Sequence, residues 1–584
     1  MGVLAGLAKS LQPSLSQRIR PIRAFYGIAE EQLDFLRRDS VRLEFLYVPR
    51  EPFYSRRRTI FSRTPVDSRE LILLLMYEHP GKPLFLESAC RMSTQHLLVW
   101  LGLVVLSLTF AWNGLVAQGP ATGTKPTARS HAARELAAWG VVGDGVADDT
   151  DALQKILDQG WGDLQLPKGN YRLTRSLVID LDRVGYTSIT GQGTAVLVME
   201  GAGPALRFQG THNKSADPGN FSASVWDRQR MPLVDGIAIY GKHPDAEGIL
   251  ASGTMQLTIT RVHLRGLLHG IHLIENNRNV AIADSHIYEN QGIGIFYDDV
   301  NLHQSNITNC HISYNGGGGI VSIRGNVRNV HVTGCDLESN MRPDTPATAN
   351  VLIDCRESRA GTAEVAITGC TIQHNNPSPD SANIRIFGRS LPNAANAEVQ
   401  EGHVCITGNV LSDVQVNLHL DHCRGVVVSG NTFWQGYQHN MLIENCNSVV
   451  IGSNNCDRNP RYSYGNSNDS NNGLLIRNSI DCTLTGLHLS QVRSQPAGLI
   501  LENCRRMNVD GCTILDCDNA ALLLRNVSDS RISDCLLRDD RPDAVSPSLQ
   551  IIGGSGNLVQ GNLFSRTPAL ENTNTQSLQN HVSP

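Results

Sequence analysis

The sequence predicts an all-β protein, a right-handed parallel β-helix of about 22–25 residues per coil with a short N-terminal capping helix, on three observations. The first is a six-residue phrase that returns between residues 237 and 562, as in ITNCHI (307–312), VTGCDL (332–337), ITGCTI (367–372), VSGNTF (428–433) and VDGCTI (509–514). Its fourth position falls on Ile237, Val262, Ser285, Cys310, Cys335, Cys370, Asn409, Asn431, Asn454, Leu487, Cys512, Cys535 and Asn562, with eight of the twelve steps between 22 and 25 residues. The second is a further short apolar run about ten residues after many of these phrases, such as NVLID (350–354), NMLIE (440–444) and ALLLR (521–525). The third is the Asn and Gly between runs, as in YNGGGG (314–319), where tight turns need left-handed backbone. No 3.6-residue pattern accompanies the repeat, which sets aside a leucine-rich solenoid, and two or three short strands per coil are expected.

The elements before the coils differ from them. From Leu97 to Trp112 the chain is uncharged and apolar, followed by LVAQG (115–119), the pattern of a secretory signal beginning at Met92 and cleaved near Ala117. Residues 1–91 are then expected to be an upstream extension that is not native, or a disordered basic segment. A signal anchor with the basic segment inside is the alternative for 92–117. Both readings export the remainder to a secreted, periplasmic or cell-surface location. Residues 118–133 read as a linker, 134–564 as the β-helix and 565–584 as a loose polar tail.

Residues 1–91 carry 15 Lys/Arg against 10 Asp/Glu, so the rest of the chain is more acidic than the overall net charge of −5, and no general case for nucleic acid arises. Cysteines 310, 335, 370, 512 and 535 share the register that Asn fills in other coils. That points to a buried ladder at a turn rather than to disulfides or zinc.

WGVVGDGVADDTDALQKILDQ (139–159), LQLPKGNYRL (164–173) and ITGQGTAVL (189–197) resemble the entry segment of the pectate-lyase-like superfamily over residues 136–200. That group includes rhamnogalacturonase-like and polygalacturonase-like hydrolases, epimerases and phage tailspikes. The resemblance implies a right-handed β-helix acting on polysaccharide. A DD pair stands at Asp298 and Asp299, but the NTD, GHG and RIK motifs of the polygalacturonase-like members are absent. In the entry segment itself, Asp149 or Thr150 is expected to cap a helix burying Leu153, Ile156 and Leu157. Asp144, Asp148 and Asp149 are read as structural.

Stacking brings outward residues of the second strand into axial rows. One row reads Ile274, Phe296, Arg324, Asp354, Phe387, Asp421, Glu444, Arg477, Glu502, Arg525, and the parallel row His272, Gly294, Ser322, Leu352, Arg385, His419, Leu442. Extra residues flank the coils of 350–356 and 383–389 on both sides, which predicts a walled cleft there.

The candidate catalytic residues are Asp354, Asp421, Glu444, His419 and Arg385, and the candidate substrate-binding residues are Arg324, Arg356, Phe387 and Arg389. Arginines suit uronate carboxylates, an aromatic ring suits a pyranose face, and paired carboxylates suit acid–base work. Asp354 and Asp421, two coils or about 10 Å apart, fit an inverting glycosidase, and Asp421 and Glu444 the shorter retaining spacing. Arg385 or His419 as base would make a lyase. The expected activity is therefore a glycoside hydrolase or lyase on a uronate-containing polysaccharide, with a non-catalytic glycan-binding or adhesive surface protein as the alternative. No metal site and no cofactor are required. The acidic rows could hold Ca2+, although no ligand loop has the right oxygen spacing. The partner is an acidic polysaccharide, with no nucleic acid and no membrane beyond the signal segment.

Overall fold

The computed structural model describes residues 131–215, 222–458 and 469–583, together with four short strands between 71 and 92. The chain divides into two compact units, Met1–Thr127 and Ala128–Pro584. In the first unit Leu71–Leu73 pairs antiparallel with Cys90–Met92, and Tyr77–His79 with Lys82–Leu84. The expected signal segment, and the rest of residues 1–130, lie outside the described residues. Among the described residues, no helix is long and apolar enough to cross a membrane.

The second unit is a right-handed parallel β-helix. Each coil contributes strands to three ladders, and each ladder pairs in parallel with the coil before and after. The first ladder includes Gly318–Ile323, Ala349–Asp354, Ala382–Phe387, Val414–Asp421 and Gly436–Glu444. The second includes Asn326–Thr333, Thr362–Thr368, Gly402–Thr407 and Arg424–Ser429. The third includes His286–Tyr288, His311–Ser313, Asp336–Glu338 and Thr371–Gln373. Alternation sends Ile320, Val351, Ile384, Leu418 and Met441 inward in one column, and these join a single core running the length of the solenoid.

The recurring phrase spans the turn between the second and third ladders. The residue before every marker except Asn454 is left-handed, as at Asn309, Gly334, Gly369 and Gly408. The markers are buried and linked. Cys370 N donates to Asn409 Oδ1 at 2.9 Å, Asn409 N to Asn431 Oδ1 at 2.9 Å, and Asn431 N to Asn454 Oδ1 at 3.0 Å. Cysteine takes the same turn at Cys310, Cys335 and Cys370, and the cysteines from Cys310 to Cys535 are free thiols.

A second ladder was not legible as one motif. Asn290, Asn315, Asn340, Asn350, Asn383, Asn417 and Asn440 pass side-chain hydrogen bonds of 2.7–2.8 Å from coil to coil, all fully buried. Its first three members sit in the turn after the third ladder, and its last four at the start of first-ladder strands. Where the turn supplies the Asn, the strand supplies Gly. A Cβ on Gly294 would stand 2.7 Å from Gly319 O and 3.0 Å from Asn315 Nδ2. The same volume is thus filled from either side, which hides the ladder from a fixed-period reading.

Both ends differ from expectation. A helix at His131–Ala138 begins inside the expected linker. The capping helix forms at Thr150–Asp158 with Leu153, Ile156 and Leu157 buried as predicted. Asp149 occupies its N-cap position, yet its carboxylate accepts from Val142 N (2.7 Å) and Gly143 N (3.0 Å), pinning the preceding turn. Asp148 instead accepts from Thr150 N at 3.0 Å. At the C-terminus the expected loose tail is a further coil. Ala569–Glu571, Asn574–Leu578 and His581–Val582 extend all three ladders, and Asn580 Oδ1 accepts from Asn562 N at 3.0 Å. Few of its side chains are apolar, so backbone pairing and the asparagine ladder, rather than hydrophobic burial, hold it.

Candidate functional site

From residue 349 onward the first-ladder rows stand in the expected register. Asp354, Phe387, Asp421, Glu444 and Arg477 follow one another on consecutive coils, and Arg385, His419 and Leu442 form the parallel row. The N-terminal part of both rows shifts. Asp298 and Ile323 precede Asp354, while Phe296 and Val321 lie in the row of His272, Leu352 and Arg385. Strand Ile293–Thr308 runs through a corner without a break, and Arg324 is a left-handed turn residue just beyond its strand, so counting from the apolar run missed the register.

The expected floor residues come together, but mostly with one another. Arg356 clamps Asp354 (Nε to Oδ1, 2.9 Å), and its guanidinium carbon lies 4.0 Å from the Phe387 ring centroid. The face expected to receive a sugar therefore already carries a cation. Arg385 is 2% exposed, with Nη1 donating to Asp380 O at 2.8 Å, Nη2 to Asp380 Oδ1 at 3.0 Å and Nε to His419 Nδ1 at 3.1 Å. With Nδ1 accepting, neutral His419 carries its proton on Nε2, which faces Glu444 Oε2 at 3.1 Å. Arg477 then pairs with Glu444. Loop residue Asp380, Arg385, His419, Glu444 and Arg477 thus form one relay across four coils. Hydrogen bonding from His419, with help from Arg477, holds the Glu444 carboxyl below the usual range despite its burial. Glu444 is consequently an anion and not a general acid. Arg385 supports this relay from beneath and cannot touch a ligand as it stands.

Asp421 Oδ1 accepts from Asn445 Nδ2 and faces His422 Nδ1, both at 2.8 Å. Arg389 opens a small antiparallel hairpin, Arg389–Ser390 with Val399–Gln400, that walls one side. The other wall loop meets it where Leu391 N donates to Ser358 O at 2.9 Å. Arg389 is exposed and has no ion-pair partner among the described residues. Two small cavities lie elsewhere among the described residues. One, of about 20 Å³, is inside the coils against Tyr297 and Val351, and the other is beneath the cap at Ile156 and Trp161. The row forms a strip along the first ladder.

A second cluster on the same ladder escaped sequence reasoning. His272 lies between Glu247 Oε2 (Nδ1, 3.2 Å) and Asp298 Oδ2 (Nε2, 3.4 Å), stacked at 5.0 Å on Phe296, while Arg324 pairs with Asp298. Asp298 belongs to the DD pair, which was the available signal. Arg324 is engaged here and reaches Glu357 at 3.9 Å. Burial disfavours the charged form of His272, but Glu247 and Asp298 outweigh it and raise its pKa. Its contribution to stability is then complete below the unfolded pKa of about 6.5 and is lost as pH rises through the higher folded value. His272→Gln is expected to remove that loss. Urea midpoints at about pH 6 and about pH 8 check it, since an unchanged difference between them would sink the assignment.

Two family models match the chain. One, described as a right-handed beta helix region, covers residues 222–372, and the other, described as a periplasmic copper-binding protein (NosD), covers 363–581. The chain is a right-handed β-helix protein. No match is found among the curated proteins. Among solved structures it is similar to the A-module of the mannuronan C-5 epimerase AlgE4 of Azotobacter vinelandii (13% identity, 77% of this chain and 99% of that one, TM-score 0.30). It is also similar to the Dettilon tailspike protein (14%, 74% and 67%, TM-score 0.39) and to PfbA, a surface adhesin of Streptococcus pneumoniae (12%, 77% and 92%, TM-score 0.27). The described residues of 363–581 do not by themselves form a copper site. Among the described residues of that stretch no three His, Cys, Asp or Glu side chains converge, and all its cysteines but Cys405 are buried.

Proposed function

We propose that the protein is an exported, polysaccharide-active β-helix protein that takes a uronate-containing chain along the first-ladder strip and acts on it as a glycoside hydrolase or lyase. The observation that carries this reading is the line Asp354, Phe387, Asp421, Glu444 on consecutive coils, edged by the exposed cations Arg356, Arg389 and Arg477. A stack repeating at about 4.8 Å matches an extended sugar chain better than a compact ligand. Arg356 and Arg389 bind carboxylates, Arg356 exchanging Asp354 for the ligand and uncovering Phe387. Asp354 and Asp421 are the reacting carboxylates, and the relay through Arg385, His419 and Glu444 holds the strip in place. Export agrees with the description of the second family model as a periplasmic protein.

A second reading, a non-catalytic glycan-binding surface protein, is favoured by the pairing of Asp354 and Glu444 with arginines on the strip. Incubation with acidic and neutral polysaccharides separates the two, following new reducing ends and the ultraviolet absorbance of unsaturated uronate. Reducing ends without absorbance, lost in an Asp354→Ala/Asp421→Ala double variant, mean a hydrolase, and growing absorbance means a lyase. Binding without turnover leaves the adhesive reading, and neither binding nor turnover on any acidic chain removes both.

A further inference from the structure

The third ladder carries a different chemistry on another face of the coil. Parallel register sets His311 directly over Asp336, and alternation puts Glu338 on the same outward side, two residues along. One donor atom from each lies within 4.8 Å of the others, with His311 Nε2 at 2.9 Å from Asp336 Oδ2. On the next coil His374 turns Nε2 toward Glu338 Oε1 at 3.6 Å.

We infer that His311, Asp336, Glu338 and His374 form a binding site for a divalent first-row transition metal such as Zn2+. Two imidazoles and two carboxylates form a four-ligand set that zinc accepts, and the nitrogen donors disfavour Ca2+ and Mg2+. Two residues behind the ligands complete the assignment. The Tyr288 hydroxyl hydrogen-bonds His311 Nδ1, which leaves Nε2 aimed at the carboxylates. Behind His374, Asp413 is 4% exposed and its Oδ2 has no hydrogen-bond partner, yet it stands 3.8 Å from His374 Nδ1. A metal on His374 Nε2 would fix the proton on Nδ1 and aim it at that orphaned oxygen, the carboxylate–histidine–metal arrangement that orients metal-binding imidazoles. An ion-pair ladder alone gives no reason for a buried carboxylate oxygen without a hydrogen-bond partner at this place.

The site is independent of the glycan strip, and its test does not depend on finding a substrate. Untagged full-length protein, stripped with a chelator, is titrated with Zn2+ by calorimetry in the absence and presence of excess Ca2+. One equivalent is expected to bind, undisturbed by Ca2+. Affinity should fall at least tenfold in Glu338→Gln and in His374→Ala, and about 10–100-fold in Asp413→Asn, which touches no metal. The exposed pair variant Asp510→Asn should bind as wild type. Co2+ in place of Zn2+ should give visible absorption that Glu338→Gln alters. Absence of a stoichiometric site, or Zn2+ binding that survives both ligand variants in folded protein, overturns the inference.

Discussion

Replacing Arg356 and Arg389 together by alanine is expected to weaken binding of a uronate oligosaccharide by about a hundredfold, roughly tenfold for each arginine. Charge-assisted hydrogen bonds contribute about 1.5–3 kcal/mol, and the lower end applies because both side chains are solvent-exposed. Arg356→Ala has a second consequence, since it uncovers the Phe387 ring and frees Asp354. A neutral glycan should therefore lose little or gain slightly, so the ratio of acidic to neutral affinity is the more telling readout. Arg506→Ala, whose side chain pairs with Asp481 in the turn leading to the second ladder, is the matched control and should leave both affinities unchanged. Titration calorimetry of the three variants checks this. An equal loss for acidic and neutral chains would mean that the arginines shape the surface without reading charge.

The largest effect on stability is expected from Asn383→Leu. Asn383 sits mid-ladder, accepting from Asn350 Nδ2 at 2.8 Å and donating to Asn417 Oδ1 at 2.7 Å and to Ser412 O at 2.9 Å. Removing it strands buried partners on both neighbouring coils. At about 1–3 kcal/mol for each group left unpaired, the loss should be roughly 2–4 kcal/mol. The exposed ladder of Asn478, Asn503 and Asn526 has the same chemistry in water. Asn503→Gly, which keeps the left-handed backbone open, should cost within about 0.5 kcal/mol. Urea midpoints of the two variants give the comparison, and similar losses would show that burial of the ladder contributes nothing.

The same contrast explains what the sequence made legible. Each coil restates its apolar strand and its Cys or Asn turn, so the period, the parallel stacking and the marker ladder could be read directly. The first-ladder row from Asp354 to Arg525 could be read too, because each strand there ends cleanly at its outward row residue, charged in every coil but that of Phe387. The row failed at Phe296 and Arg324, where a corner-crossing strand gives no end to count from. Pairing between outward residues was not legible at all. Arg385 looked like a free cation in sequence, but a loop residue, Asp380, draws it under the surface. The cluster at His311, Asp336 and Glu338 was equally hidden, since ligands on successive coils have no local spacing and meet only through register.

The account's central claim is that the strip from Asp354 to Arg477 is the face that engages acidic glycan. Hydrogen–deuterium exchange of the protein with and without a saturating uronate oligosaccharide tests it most directly. Slowed exchange confined to the walls and strands around 352–391 and 417–445 is the predicted result. Protection on the second or third ladder, with the first unchanged, would contradict it.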